Sequence, residues 1–112
     1  MRALEVAPLA LSDLGAILAW SESRFGSAAA DRYRDLIEAA LTDVREDPER
    51  PGVRAAGPRR LYHLRFSRGR LFGETVAEPR HFLVFRATAE RLTLLRVLHD
   101  AMDLPARLTD DG

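Results

Sequence analysis

The sequence contains neither cysteine nor lysine. Without cysteine, disulfide bonds and thiolate metal sites are excluded. Without lysine, all 17 cationic side chains are arginine, which stays charged at physiological pH and is a poor proton shuttle. Any mechanism that requires a lysine acid or base is therefore excluded.

Long hydrophobic runs are also missing. No apolar run approaches the ~18 residues that a membrane span requires. The first residues, Met-Arg-Ala-Leu-Glu-Val, are too few and too charged for the apolar region of a signal peptide. With 112 residues, of which 46% are hydrophobic, the chain can build one modest core. We expect one cytoplasmic domain over residues 1–112, without a cofactor or a metal site.

The formal net charge is zero, but the charge is distributed unevenly. Residues 1–58 contain 7 arginines and 10 acidic residues, a balance of −3, whereas residues 59–107 contain 10 arginines and 5 acidic residues, a balance of +5. The basic second half indicates an anionic or acidic partner on one face. An ordinary solvated surface is the alternative.

The first half predicts a short strand and two helices. Residues 2–7 alternate weakly and favour a strand that ends before Pro8, which suits the first turn of a helix. Gly26 is placed to end this helix, and Ser27 is placed to cap the next one. The second helix should end at Asp47, because Pro48 disfavours helical geometry in the residue before it. The buried stripes are expected to consist of Leu11, Leu14, Ile17 and Leu18 in the first helix, and of Tyr33, Ile37, Ala40, Leu41 and Val44 in the second. So short a connection predicts an antiparallel αα-hairpin.

The second half predicts strands. Residues 48–58 contain three prolines and two glycines and favour a loop. Tyr62, Leu64 and Phe66 then alternate with polar residues, and residues 81–86 and 92–98 predict a β-hairpin around a polar turn at 88–91. Residues 67–79 are less regular, with an extra short strand expected at 71–76. The order predicts an α+β fold: an N-terminal strand, an αα-hairpin, then an antiparallel sheet of three or more strands.

Three motifs in this order resemble the RelE/ParE toxin family, and its ParE branch in particular. The first is Pro-Leu-Ala-Leu-Ser-Asp-Leu from Pro8, and the second is Phe25-Gly26 before an alanine-rich helix start, with Asp47-Pro48 at its end. The third and most specific is Pro-Arg-His-Phe-Leu-Val-Phe-Arg from Pro79, followed by Leu-Arg-Val-Leu-His-Asp-Ala-Met-Asp-Leu from Leu95.

The resemblance implies a RelE/ParE-like fold and the toxin role of a type II toxin–antitoxin pair. ParE-like toxins stall DNA gyrase on cleaved DNA, and a cognate ParD-like antitoxin lays its C-terminal segment across the toxin. We therefore expect a non-enzymatic gyrase inhibitor that causes growth arrest, meets DNA only through gyrase or the antitoxin, and does not bind membranes. The alternatives are a ribosome-dependent mRNA endonuclease of the RelE type, and a non-toxic toxin-fold module that acts with its partner in operon repression.

The endonuclease alternative depends on acid–base groups. RelE-like nucleases use lysine, arginine and a C-terminal tyrosine, whereas this chain has no lysine, its tyrosines are Tyr33 and Tyr62, and Phe82 occupies the position of a phosphate-clamping arginine. A second nuclease type in the family uses a histidine near the C-terminus, which His99 matches, with Glu74 or Glu78 as the carboxylate. His99 is thus catalytic in a nuclease, and otherwise a hydrogen-bonding residue at a strand end.

Candidate binding residues lie mainly near the predicted hairpin. Arg80, Arg86 and Arg96 predict a basic face that contacts gyrase or its DNA; alternatively, Arg86 or Arg96 pairs with Asp100 or Glu90. The predicted target-binding set comprises Arg80, Arg86, Arg96, His99, Asp100, Met102 and Asp103.

The only tryptophan, Trp20, is expected mainly in the core, with one ring edge available to anchor an antitoxin segment. The sheet edges are a further antitoxin site, because an exposed edge can accept an added strand.

Overall fold

The structure, a computed structural model, describes residues 1–70 and 76–101. Its elements run in chain order as β1 (Ala3–Val6), α1 (Pro8–Phe25), α2 (Ser27–Glu46), β2 (Arg54–Ala56), β3 (Arg59–His63), a 3₁₀ helix (Leu64–Arg70), β4 (His81–Ala87) and β5 (Arg91–His99). The predicted α+β order is confirmed.

The strands form one mixed sheet in the order β1-β5-β4-β3-β2. Neighbouring strands from β2 to β5 are antiparallel, as predicted for β3, β4 and β5. Strand β1 lies parallel to β5, where Ala3 pairs with Arg91 and Val6 with Leu94. This pairing was not predicted, because the two helices and three strands that separate β1 from β5 leave no local signal for it.

Two local predictions in the second half were wrong. The predicted loop at 48–58 contains β2, because Gly57, with φ +63°, allows a tight turn that pairs Ala56 with Arg59. The strand predicted to continue to Phe66 is β3, which ends at His63, and Phe66 lies in the 3₁₀ helix that follows. The extra strand expected at 71–76 lies outside the described residues except at Val76, which is not in a strand.

A single glycine joins the two helices. The N–H of Gly26 donates to the carbonyl of Glu22 at 2.8 Å, and its φ of +92° favours glycine. Because Gly26 also precedes α2 directly, Ser27 is already helical and does not cap it, contrary to the prediction. Helix α2 ends at Glu46, one residue before the predicted Asp47.

The main core lies between the helices and one face of the sheet. Helix α2 contributes the predicted Ile37, Ala40, Leu41 and Val44, whereas Tyr33 is half-buried at its rim. In α1 the predicted Leu11 is 64% exposed and Ala10 is fully buried instead, because α1 packs along a narrow stripe. The sheet residues in this core are Tyr62, Leu83, Phe85, Leu92, Leu94 and Val97.

The opposite side of the sheet, called here the helix-free face, has a second cluster formed by strand residues. Its buried members are Leu61, Val84 and Leu98, with Phe82 and Leu95 packed beside them. No helix within residues 1–70 and 76–101 is both long and apolar enough to span a membrane.

A buried carboxylate joins α2 to the segments that follow it. The Asp43 side chain is fully buried and accepts hydrogen bonds from the Ser67 hydroxyl and an Arg70 guanidinium nitrogen, both at 2.6 Å. A guanidinium nitrogen of Arg50 lies 3.0 Å from the same carboxylate. Because the Ser67 hydroxyl donates to Asp43, it accepts from the Tyr62 hydroxyl, at 2.8 Å. This Asp43 network anchors the 3₁₀ helix and the start of the 48–58 segment to α2.

Candidate functional site

A groove of about 980 Å³ opens between the second half of α1, the start of α2 and the ends of β4 and β5. One end is apolar and includes Ile17, Trp20 and Phe25. The other end is polar, and the residues that line it include Arg32, Tyr33, Arg80, His81 and His99. A groove with an apolar end and a polar end suits an amphipathic segment of a partner.

Two aromatic residues of the apolar end are exposed. Trp20 is 56% and Phe25 65% exposed, and their rings meet edge to face with centroids 5.7 Å apart. The Arg24 guanidinium lies 5.5 Å from the centroid of the Trp20 ring. The core role predicted for Trp20 was wrong, because the buried stripe of α1 passes through Ala10, Leu14 and Ile17 and leaves Trp20 at the rim of the groove.

The polar end contains a chain of hydrogen bonds. The N–H of Arg80 donates to the Tyr33 hydroxyl at 3.1 Å, and that hydroxyl is hydrogen-bonded to Nδ1 of His81 at 2.6 Å. Burial raises the pKa of Tyr33 to about 12. Burial, followed by the neighbouring His99, lowers the pKa of His81 to about 4. At neutral pH the Tyr33 phenol is therefore protonated and the His81 imidazole is neutral.

Hydrogen bonds assign the proton positions of the other two histidines when they are neutral. Nδ1 of His63 accepts from the N–H of Arg65 at 3.1 Å, so its Nε2 donates to Asp100, at 3.0 Å. Nδ1 of His99 accepts from the N–H of Ala101 at 3.0 Å, which places the ring proton on Nε2. His99 therefore contacts the backbone of the turn that follows β5, while its Nδ1 lies 3.6 Å from Asp100, too far for a hydrogen bond.

Asp100 connects the sheet to Arg80. Its carboxylate accepts from Nε2 of His63 and Nε of Arg80, both at 3.0 Å. Its own N–H donates to the Arg80 carbonyl at 2.7 Å. Desolvation raises the pKa of Asp100, but the hydrogen bonds from His63 and Arg80 outweigh it and hold the pKa below the ordinary value. Asp100 is therefore a carboxylate with two charge-assisted partners near neutral pH.

The structure brings together part of the predicted target-binding set. Arg80 and His99 line the polar end of the groove, and Asp100 is joined to Arg80 by a hydrogen bond. Arg86, by contrast, is exposed on the helix-free face. Arg96 forms a two-point ion pair with Asp13, at 2.8 and 3.1 Å. The alternative partners proposed for it, Asp100 and Glu90, were wrong. The predicted target-binding residues Met102 and Asp103 lie outside the described residues, as does the nuclease carboxylate candidate Glu74.

Three members of the site were missed from the sequence. Tyr33 was assigned to the buried stripe of α2, and His63 and His81 were treated only as strand residues. A usable signal existed for His81, because it lies nearly as far before the predicted turn at 88–91 as His99 lies after it. The two residues are paired in the sheet, and their rings lie 5.2 Å apart.

Metal binding has no support in the part of the chain that the structure describes. No group of three histidine, aspartate or glutamate side chains there could hold a metal ion.

The low pKa of His81 predicts a pH dependence of stability. Between pH 6.5, its ordinary pKa, and about 4, its folded value, the unfolded chain binds a proton that the folded protein does not. We expect the free energy of unfolding to keep its full value above this pH window. As the pH falls through the window, it should decrease by on the order of 3 kcal/mol. Asp100 should add a separate loss below its ordinary pKa of 3.8, because its folded pKa is lowered.

Urea unfolding at several pH values, for the wild type and for His81→Gln, tests this dependence. Glutamine can still accept the Tyr33 hydrogen bond but does not titrate, so the variant should lose less stability between pH about 6.5 and about 4. If both proteins lost the same stability over this pH range, the pH dependence would not come from His81.

Comparison with known proteins identifies the family. The sequence profile of the ParE toxin of the type II toxin–antitoxin system parDE matches residues 4–104. Among solved structures, a chain of the chromosomal ParDE toxin–antitoxin system from P. aeruginosa has the same fold, with a TM-score of 0.58 and 19% sequence identity, and the match covers 88% of this chain and 96% of that one. A comparison with curated protein sequences found no match. The protein therefore belongs to the ParE toxin family of type II toxin–antitoxin systems.

Proposed function

We propose that this ParE-type toxin inhibits DNA gyrase without catalysing a reaction and is neutralised by a ParD-like antitoxin. The observation that carries the proposal is the family match over residues 4–104. The chemistry of the groove supports it, because its described residues provide a binding surface with apolar and polar parts.

RNA cleavage requires a base and an acid that exchange protons near neutral pH. The pKa of His81 is about 4 and that of Tyr33 about 12, so neither group does so readily. The Asp100 carboxylate is engaged by His63 and Arg80. His99 and the carboxylate candidate Glu78 both line the groove, but no hydrogen bond joins them among the described residues. Nδ1 of His99 instead accepts from the N–H of Ala101 at 3.0 Å, which favours a structural role over catalysis.

The antitoxin is proposed to bind along the groove. An amphipathic segment would place apolar side chains against Trp20 and Phe25 and acidic side chains near Arg80. Such a segment would also cover His99 and Asp100, which remain proposed target contacts together with Met102 and Asp103. Neutralisation would then follow from occlusion, because one segment would cover both the aromatic pair and the target-binding end.

Purified gyrase and a supercoiled plasmid test the proposed target. Adding the toxin with ATP should make cleaved, linear plasmid accumulate once the bound protein is digested. Messenger RNA in a ribosomal translation reaction should stay intact under the same conditions. Cleavage of mRNA with unaffected gyrase would establish the endonuclease instead, and no effect in either reaction, with antitoxin binding retained, would establish a non-toxic binding module.

His99→Gln separates structure from catalysis at this histidine. Because glutamine can replace the hydrogen bond from Ala101 but does not titrate, a structural role predicts that growth arrest changes less than about threefold, whereas loss of a general acid or base costs roughly 10²–10⁴ in rate. The measurements are growth arrest on expression, a thermal melt and an antitoxin pull-down. A folded variant that still binds the antitoxin and gyrase but has lost all toxicity would count against the proposal.

A further inference from the structure

Three arginines lie together on the helix-free face, away from the groove. They are Arg54 in β2, Arg59 in β3 and Arg86 in β4. Arg54 pairs with Leu61 across the strands, so it shares the face of that residue. The pairing of Arg60 with Phe85 places Arg59 beside Arg86 on the same face, because successive side chains of a strand alternate between faces.

The charges of these arginines are not neutralised within residues 1–70 and 76–101. The ion pairs of that part of the chain involve other arginines. Arg54 instead lies over the Phe82 ring, with its guanidinium carbon 5.6 Å from the centroid. Asp100, at the far end of this face, already accepts from Arg80 and His63.

Two of the arginines line a concave site. A pocket of about 380 Å³ lies between Arg59, Arg86, Leu95 and the chain around Pro8, which begins α1. Its lining contains three arginines and no acidic residue, and the third, Arg96, is offset by Asp13. The local balance is therefore +2. The first turn of α1 contains no acidic residue and adds the partial positive charge of a helix start.

We propose that Arg54, Arg59 and Arg86 bind the sugar–phosphate backbone of duplex DNA. The three residues lie on consecutive strands, with Arg54 offset by two residues along the strands from Arg59, and so span about 12 Å. One DNA strand presents a phosphate about every 3.4 Å along the axis, so roughly three phosphates fall within this span. The proposal rests on the proposed function in one respect, because gyrase is what would bring duplex DNA to the toxin.

The distribution of exposed apolar groups favours DNA over an acidic peptide as the occupant. Leu61, Val84 and Leu98 of this face are buried, and Phe82 and Leu95 are partly buried, with Arg54 lying over the Phe82 ring. The face therefore offers mainly charge and few apolar anchors. The groove, by contrast, exposes the apolar rings of Trp20 and Phe25. An antitoxin segment needs apolar anchors, whereas a DNA backbone needs mainly cations.

Binding of a fluorescent 20-base-pair duplex to the full-length toxin, without gyrase, tests the proposal by anisotropy. For three phosphate contacts, raising salt from about 50 to about 200 mM should weaken binding roughly 40-fold. Arg86→Ala removes one contact and should reduce that factor to roughly 12-fold. Arg34→Ala removes the same charge from α2, where Arg34 pairs with Asp31 at 2.8 Å, and should retain the 40-fold factor. Thermal melts verify that both variants fold.

Salt-dependent binding that Arg86→Ala weakens and Arg34→Ala does not would support the proposal. Absent binding, salt-independent binding, or equal effects of the two variants would overturn it. Stronger binding to single-stranded RNA of the same length, or binding to polyglutamate but not to DNA, would assign the face to another partner and also overturn it. A toxin that binds DNA through Arg86 but leaves gyrase unaffected would refute only the gyrase target.

Discussion

Asp43→Ala is expected to lower the free energy of unfolding by about 3 kcal/mol, the lower end of the range for breaking a buried ion pair. The substitution leaves Arg50 and Arg70 without their carboxylate and removes the acceptor of the Ser67 hydroxyl. The loss should not be larger, because the side chains of Arg50 and Arg70 are 29% and 50% exposed and can regain water. Nε of Arg50, which is buried, already lacks a hydrogen-bond partner among the described residues.

Urea unfolding measures this loss, and two variants bracket it. Asp31→Ala removes an exposed carboxylate of the same helix, paired with Arg34, and should cost less than about 1 kcal/mol. Asp43→Asn retains one oxygen acceptor but no charge, and should fall between the two alanine variants. Similar losses for Asp43→Ala and Asp31→Ala would show that the Asp43 network contributes little to stability.

Trp20→Ala is expected to weaken binding of the antitoxin's C-terminal segment by roughly 30-fold or more, the loss typical of an aromatic anchor. The exposed ring of Trp20, packed against Phe25, offers a large apolar surface beside the polar end of the groove. Trp20→Phe preserves part of this surface and should lose less. Because Trp20 is at the surface, neither substitution should unfold the protein.

Isothermal titration of each toxin variant with the synthetic segment provides the measurement. Leu11→Ala is the matched control, because Leu11 is also an exposed apolar residue of α1 but does not line the groove. Its affinity should equal that of the wild type. Equal affinities for Trp20→Ala and Leu11→Ala would place the antitoxin site elsewhere, for example at a sheet edge.

The helical hairpin could be predicted because its signals are local. The 3.6-residue period of α2 identifies its buried face, and Gly26 and Pro48 mark the helix ends within one or two residues. The parallel pairing of β1 with β5 depends instead on contacts between distant parts of the chain. The exposure of Trp20 was missed for a related reason: periodicity places it near Ile17, but only packing against the sheet decides how wide the buried stripe of α1 becomes.

The candidate site was predictable only where hairpin geometry determines it. His81 and His99 could have been placed together from the turn between them. The contact of Tyr33 with His81 joins α2 to β4 across 48 residues, and the ion pair of Arg96 with Asp13 crosses 83 residues. No local sequence pattern encodes such pairs. The sequence therefore did not distinguish Arg96, which pairs with Asp13, from Arg86, which is exposed.

The position of β5 between β1 and β4 has a consequence during translation. Strand β5 follows every other described element along the chain, yet both of its neighbours in the sheet depend on it. A nascent chain that stops before Arg91 can form the helical hairpin, but β1 has no partner and β4 has one free edge. Synthesis proceeds in one direction, so the sheet closes only after β5 has left the ribosome. Incomplete translation products that lack β5 therefore expose the edges of β1 and β4, and exposed strand edges favour aggregation.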